Sequence, residues 1–63
     1  MSLGKTWYSP LEASHKFGVS KALILNWVDE GLARSERKRG KVVLVNGDDI
    51  QLLLEDITLR QNG

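Results

Sequence analysis

"FGVSKALILNWVDEGL", Phe17 to Leu32, decides how this chain folds. Ser20 is a good helix N-cap, because its side-chain oxygen can accept a first-turn backbone N–H. From there Leu23, Ile24, Trp27 and Val28 fall within about 140° of the helical wheel at ~100° per residue, which makes one buried stripe. Gly31 stops that helix. On the near side Gly18 closes an earlier helix as a left-handed cap. Only the Gly18 turn and Val19 separate the two helices. Helices joined by so short a turn cross steeply and cannot lie flat and antiparallel.

The earlier helix is "SPLEASHKFG". Ser9 and Glu12 form a capping box, and Pro10 takes the first helical position, where its missing N–H costs nothing. Ala13 and Phe17 share a face, and the predicted helix spans Pro10 to Phe17. Downstream, Val42 to Val45 is β-branched and apolar and reads as a strand. Leu32 to Glu36 pairs with it antiparallel, with the turn at Lys38 to Gly40 and a positive φ at Gly40. Such a two-stranded hairpin must pack on the helices to be stable. In "NGDDIQLLLEDITLRQNG" Asn46 is the cap, and Asp48 and Asp49 sit in the first turn, favoured by the helix dipole. Ile50, Leu53, Leu54 and Ile57 form the core stripe of a helix running to Leu59 or Arg60. Thr6 to Tyr8 is a short extended lead, with Trp7 and Tyr8 as a lid on the core. The predicted fold is mainly α with a small β-hairpin, in one domain over residues 6–60. Residues 1–5 read as a cloning remnant or disordered lead, and 61–63 as a frayed tail.

A chain of 63 residues buries only ~60% of its unfolded surface and has little room for an enclosed active site. It has no cysteine, which excludes disulfides and thiolate zinc sites and suits a reducing cytoplasm. No apolar run approaches the ~18 residues of a membrane span, and no signal peptide is visible. His15 is the only histidine and reads as a surface residue. No Ser/His/Asp order, glycine-rich phosphate loop or pair of buried carboxylates can be assembled. The chain therefore reads as a non-enzyme without cofactor, metal or small-molecule substrate.

The positive charge is concentrated. The net charge is +1, yet Arg37, Lys38, Arg39 and Lys41 stand within five positions, with Arg34 just before them. A basic hairpin tip discourages edge-to-edge pairing. On a pair of crossed helices it also suits phosphate contact.

Taken in order, several features resemble one family. They are the opening Tyr8-Ser9-x-x-Glu12-Ala13, Phe17-Gly18-Val19-Ser20 between the helices, and Trp27 followed by Gly31-Leu32. The basic tip and Asp48-Asp49-Ile50 complete the set. Tyr8 to about Leu54 resembles the winged helix-turn-helix shared by phage excisionases and the DNA-binding heads of MerR-type regulators. Small terminase subunits and chromosome-anchoring proteins carry a similar head. The resemblance implies a double-stranded DNA partner in a prokaryotic nucleoid or phage-infected cell, in transcription regulation, phage recombination or packaging. The second helix would enter the major groove, and the wing would touch phosphates or the minor groove. The outward face of that helix carries Lys21, Ala22, Leu25, Asn26 and Asp29. Asn26 can pair with adenine, and Leu25 can touch a thymine methyl. The family often has threonine at Leu23, an aromatic at Leu25 and arginine at Asn26. Asp29 has the wrong sign for phosphate. The rival reading on the same fold is a protein-interaction module gripping its partner through Leu25. Leu52 and Leu59, seven residues apart on the back of the last helix, make a short seam for weak self-association or for docking another domain.

Overall fold

Ser9 opens the helical part as the sequence predicts. Its hydroxyl accepts the Glu12 N–H at 3.1 Å, and its own N–H donates to the Glu12 carboxylate at 3.1 Å. The computed structural model describes residues 6–61. Over them the order is β1 (Trp7–Tyr8), α1 (Pro10–Phe17), α2 (Lys21–Asp29), β2 (Ser35–Lys38), β3 (Lys41–Asn46) and α3 (Gly47–Gln61). The expectations for residues 1–5 and 62–63 lie outside the described residues. Gln61 still belongs to α3, which runs slightly past its predicted end.

The turn between α1 and α2 is held by side chains. Gly18 adopts φ 68° and donates its N–H to the Ser14 carbonyl at 3.0 Å. The Ser14 hydroxyl donates to the Val19 carbonyl at 2.6 Å, a tie not foreseen from the sequence. Ser20 then accepts the Leu23 N–H at 3.1 Å and starts α2.

The exit of α2 explains the first correction. The sequence places the second strand at Leu32 to Glu36, but β2 is Ser35–Lys38. Leu32 N–H bonds back to the Trp27 carbonyl at 2.8 Å, and Gly31 N–H to that of Val28 at 3.0 Å. This is a Schellman closure, and it requires the positive φ (79°) that Gly31 supplies. Ala33 N–H also turns to Trp27, at 3.3 Å. Leu32 and Ala33 therefore finish the helix and are not free to pair.

The second correction concerns the sheet. It has three strands, not two, in the antiparallel order β1-β3-β2. The extended lead is β1, with Trp7 opposite Asn46 and Tyr8 opposite Val45. Over the described residues the structure is mixed α/β, with three helices and one small sheet. Lys38 lies opposite Lys41, so the hairpin loop is the two residues Arg39 and Gly40, at φ 54° and 79°. Two positive φ values in a two-residue loop match the right-handed twist of the strands.

β3 also breaks the period of two. Glu36 pairs with Leu44 and Arg37 with Val42, which leaves Val43 as the extra residue of a bulge. Val45 is buried and Val42 packs on the core, while Val43 is exposed. In a regular strand two inward residues could not be three positions apart.

Ala13, Ile24, Trp27, Val28, Ala33, Val45 and Ile50 form the buried core. Leu23, Leu53, Leu54 and Ile57 from the two predicted stripes are half-buried and pack against it. Trp7 is half-buried, and Tyr8 stacks edge-to-face on Phe17, with ring centroids 5.9 Å apart at 81°. Among the described residues no helix is long and apolar enough to cross a membrane.

Gly47 is sterically required where β3 meets α3. A Cβ there would lie 2.5 and 2.9 Å from ring carbons of Tyr8 and 3.2 Å from the Thr6 carbonyl oxygen. The Gly47 N–H donates to that same carbonyl at 2.7 Å. Gly47→Ala is expected to destabilise by about 1–3 kcal/mol through overpacking. In a Tyr8→Ala background the same change should cost less, because the ring is gone and only the approach to the Thr6 carbonyl oxygen remains. Chemical denaturation of the four-member cycle checks this, and additive effects would show that the ring yields freely.

Candidate functional site

Helix periodicity puts Lys21, Ala22, Asn26 and Asp29 of α2 on its exposed side. Leu25, placed by the sequence on the outward face, is half-buried between them. The hairpin rises beside this face, and Arg37, Gly40, Lys41 and Val42 form the opposite wall of an open cleft of about 740 Å³. The start of α1, with Ser9, Pro10 and Leu11, forms its end. Of the nine residues expected to bind DNA, six line this cleft: Lys21, Ala22, Leu25, Asn26, Arg37 and Lys41. Lys38 and Arg39 are exposed at the hairpin tip, outside its lining.

Strand register explains how Arg37 reaches the cleft. Opposed residues of an antiparallel pair share a face of the sheet. Arg37 is opposite Val42, whose side chain packs on the core side. Arg37 therefore stands over α2. Lys38 and Lys41 face each other across the ladder, an arrangement that destabilises a hairpin by like-charge repulsion. Arg39 holds a left-handed backbone that favours glycine or asparagine. Among the described residues none of Lys21, Arg37, Lys38, Arg39 and Lys41 makes an ion pair.

Arg34 is placed differently. Its Nε donates to Asp49 Oδ2 at 2.9 Å and its Nη2 to Oδ1 at 3.1 Å. Its backbone N–H also donates to Oδ2, at 2.9 Å. Its carbonyl accepts the Asn46 N–H at 2.9 Å, and the Asn46 side chain caps α3 by accepting the Asp49 N–H at 2.9 Å. Arg34 is thus clamped to α3 at the base of the hairpin, outside the cleft, with its charge compensated. Asp49, read only as a first-turn acid, is the other half of the clamp.

The clamp has a pH signature. Hydrogen bonds from the Arg34 side chain hold the Asp49 carboxyl below the usual carboxylate range, against partial burial, which acts the other way. The Arg34 guanidinium is raised in turn, first by that hydrogen bonding and then by the carboxylate charge. A carboxyl with a lowered folded pKa stabilises the fold above its unfolded value, and that contribution is lost as pH falls through the folded one. The melting-temperature difference between wild type and Asp49→Asn should therefore be constant near neutrality. It should shrink below the ordinary carboxylate pKa of about 4. A difference that persists in acid would mean that the carboxylate charge contributes nothing.

Leu11 is the site residue missed in the sequence. It is 60% exposed in the first turn of α1 and lines the cleft. The available signal was a leucine off the Ala13/Phe17 face. Leu52 and Leu59 are exposed on α3, and His15 is on the surface.

Comparison of the chain with protein-family models, with curated proteins and with solved structures finds no match in any of the three.

Proposed function

We propose that the chain is a double-stranded DNA-binding module built as a winged helix-turn-helix. In this reading α1 and α2 are the helix pair, with α2 toward the major groove and the β2–β3 hairpin as a wing on the phosphate backbone. The carrying observation is the cleft between α2 and a hairpin whose cations have no acidic partner among the described residues. Two destabilising features support it. The opposed Lys38–Lys41 pair and the left-handed Arg39 both lower hairpin stability, and a bound polyanion offsets the first. Strained backbone positions also cluster at functional sites. Arg34 is left out of the interface because Asp49 already holds it.

Five unpaired cations neutralise four or five phosphates. That corresponds to a salt slope of roughly −4 in log–log terms and a non-specific Kd of order 10⁻⁴ to 10⁻⁶ M. Anisotropy titration of random-sequence duplex at two salt concentrations tests the reading. Absence of binding at the lower salt would reject it. It would favour instead the protein-interaction module, which the Asp29 carboxylate in the cleft wall supports.

A further inference from the structure

The cleft has a chemical pattern beyond its charge. Part of its lining is apolar, with Leu11 from α1, Ala22 and Leu25 from α2, and Val42 from β3. The polar side chains that α2 presents there are Lys21, Asn26 and Asp29. Of the two side chains that read guanine in this way, arginine and lysine, that helix face carries only Lys21, at the first residue of α2. Asparagine, which matches adenine N6 and N7, is present and exposed at Asn26.

Leu11 is the residue that turns this into a prediction about sequence. An exposed leucine in a first helical turn contributes nothing to the core. Here it lines the same cationic cleft as Leu25, so a group entering the cleft meets leucines from two different helices. In the major groove the apolar group that a base presents is the C5 methyl of thymine.

We infer that the cleft prefers A·T pairs. Leu11 and Leu25 take the thymine methyl out of water, and Asn26 pairs with the adenine. Leu11 is thus a specificity-determining residue contributed by α1. This rests on the DNA-binding reading and adds a base preference that the reading alone does not contain.

The test replaces thymine by deoxyuridine. This removes the methyl and leaves charge and Watson–Crick pairing intact. Anisotropy titrations compare an A·T-rich duplex with its deoxyuridine counterpart, at two salt concentrations. Wild type should bind the deoxyuridine duplex about fourfold more weakly for each methyl contacted, taking ~0.8 kcal/mol per buried carbon. The ratio should be the same at both salts. Leu11→Ala, which alters an exposed position and should melt like wild type, should reduce the ratio, and Leu25→Ala should reduce it further. Equal binding of the two duplexes, with salt-dependent affinity retained, would overturn the thymine-methyl readout, and equal binding of A·T-rich and G·C-rich duplexes would overturn the base preference as a whole; either leaves the DNA-binding reading standing. A ratio undiminished in both variants would overturn the role of the two leucines. No binding to either duplex at the lower salt would overturn both proposals together.

Discussion

Replacing Trp27 with alanine is expected to unfold most of the protein at ambient temperature. Trp27 is 6% exposed and shares the core with Val45 of β3 and Ile50 of α3. Truncating a buried tryptophan to alanine costs about 3–5 kcal/mol, part lost transfer energy and part cavity. A domain holds roughly 0.05–0.15 kcal/mol per residue, so 63 residues provide only about 3–9 kcal/mol in total. The two ranges overlap. The Trp27 carbonyl also accepts the Leu32 and Ala33 N–H groups, but those bonds are backbone and survive the substitution. The loss thus belongs to the side chain, and Trp27→Phe, which refills most of the volume, should keep a cooperative melt. Thermal unfolding followed by circular dichroism reads both variants. A native-like melting temperature for the alanine variant would mean that the core closes over the missing indole.

The second large effect is on binding. Arg37, Lys38 and Arg39 changed together to alanine should weaken affinity for every duplex sequence alike. Each phosphate contact contributes about 0.9 to the salt slope, so removing three should flatten it by up to about 3 units. At physiological salt that corresponds to a loss on the order of a hundredfold or more. Stability should hold, because exposed substitutions away from special contacts stay within about 0.5 kcal/mol, and the repulsion between Lys38 and Lys41 is relieved. Titration at several salt concentrations, with a melting curve of the same sample, separates the two quantities. An unchanged affinity in the triple variant would assign the cluster to solubility.

What was legible in the sequence was local. Ser9, Glu12, Ser20 and Gly31 each act on backbone groups a few residues away, so their spacing is their mechanism. The stripes on α2 and α3 follow from helical period alone. β1 was not legible as a strand, since two residues carry no period and their partners, Asn46 and Val45, are almost forty positions away. The run Val42-Val43-Leu44-Val45 hid its register because every position is apolar, and only the paired strand reveals that Val43 is the extra one. Arg34 looked like one more member of a basic cluster. Charge alone does not tell a free cation from a paired one, and Asp49 lies fifteen positions away. Leu11 and Leu25 belong to different helices, and only the packing of those helices puts both in the lining of one cleft.

The short strand at the beginning of the chain also governs cooperativity. The Thr6 carbonyl accepts the Gly47 N–H, one of the first-turn donors that a helix cannot satisfy internally. β1 pairs with the last two residues of β3, and the Tyr8 ring rests on Phe17 of α1. Opening β1 therefore exposes a donor of α3, uncovers an aromatic of α1 and frees an edge of the central strand at once. Fraying normally begins at chain ends, where local opening is nearly free. Here β1 is joined to β3, α1 and, through Thr6, α3, so opening it breaks contacts to all three at once.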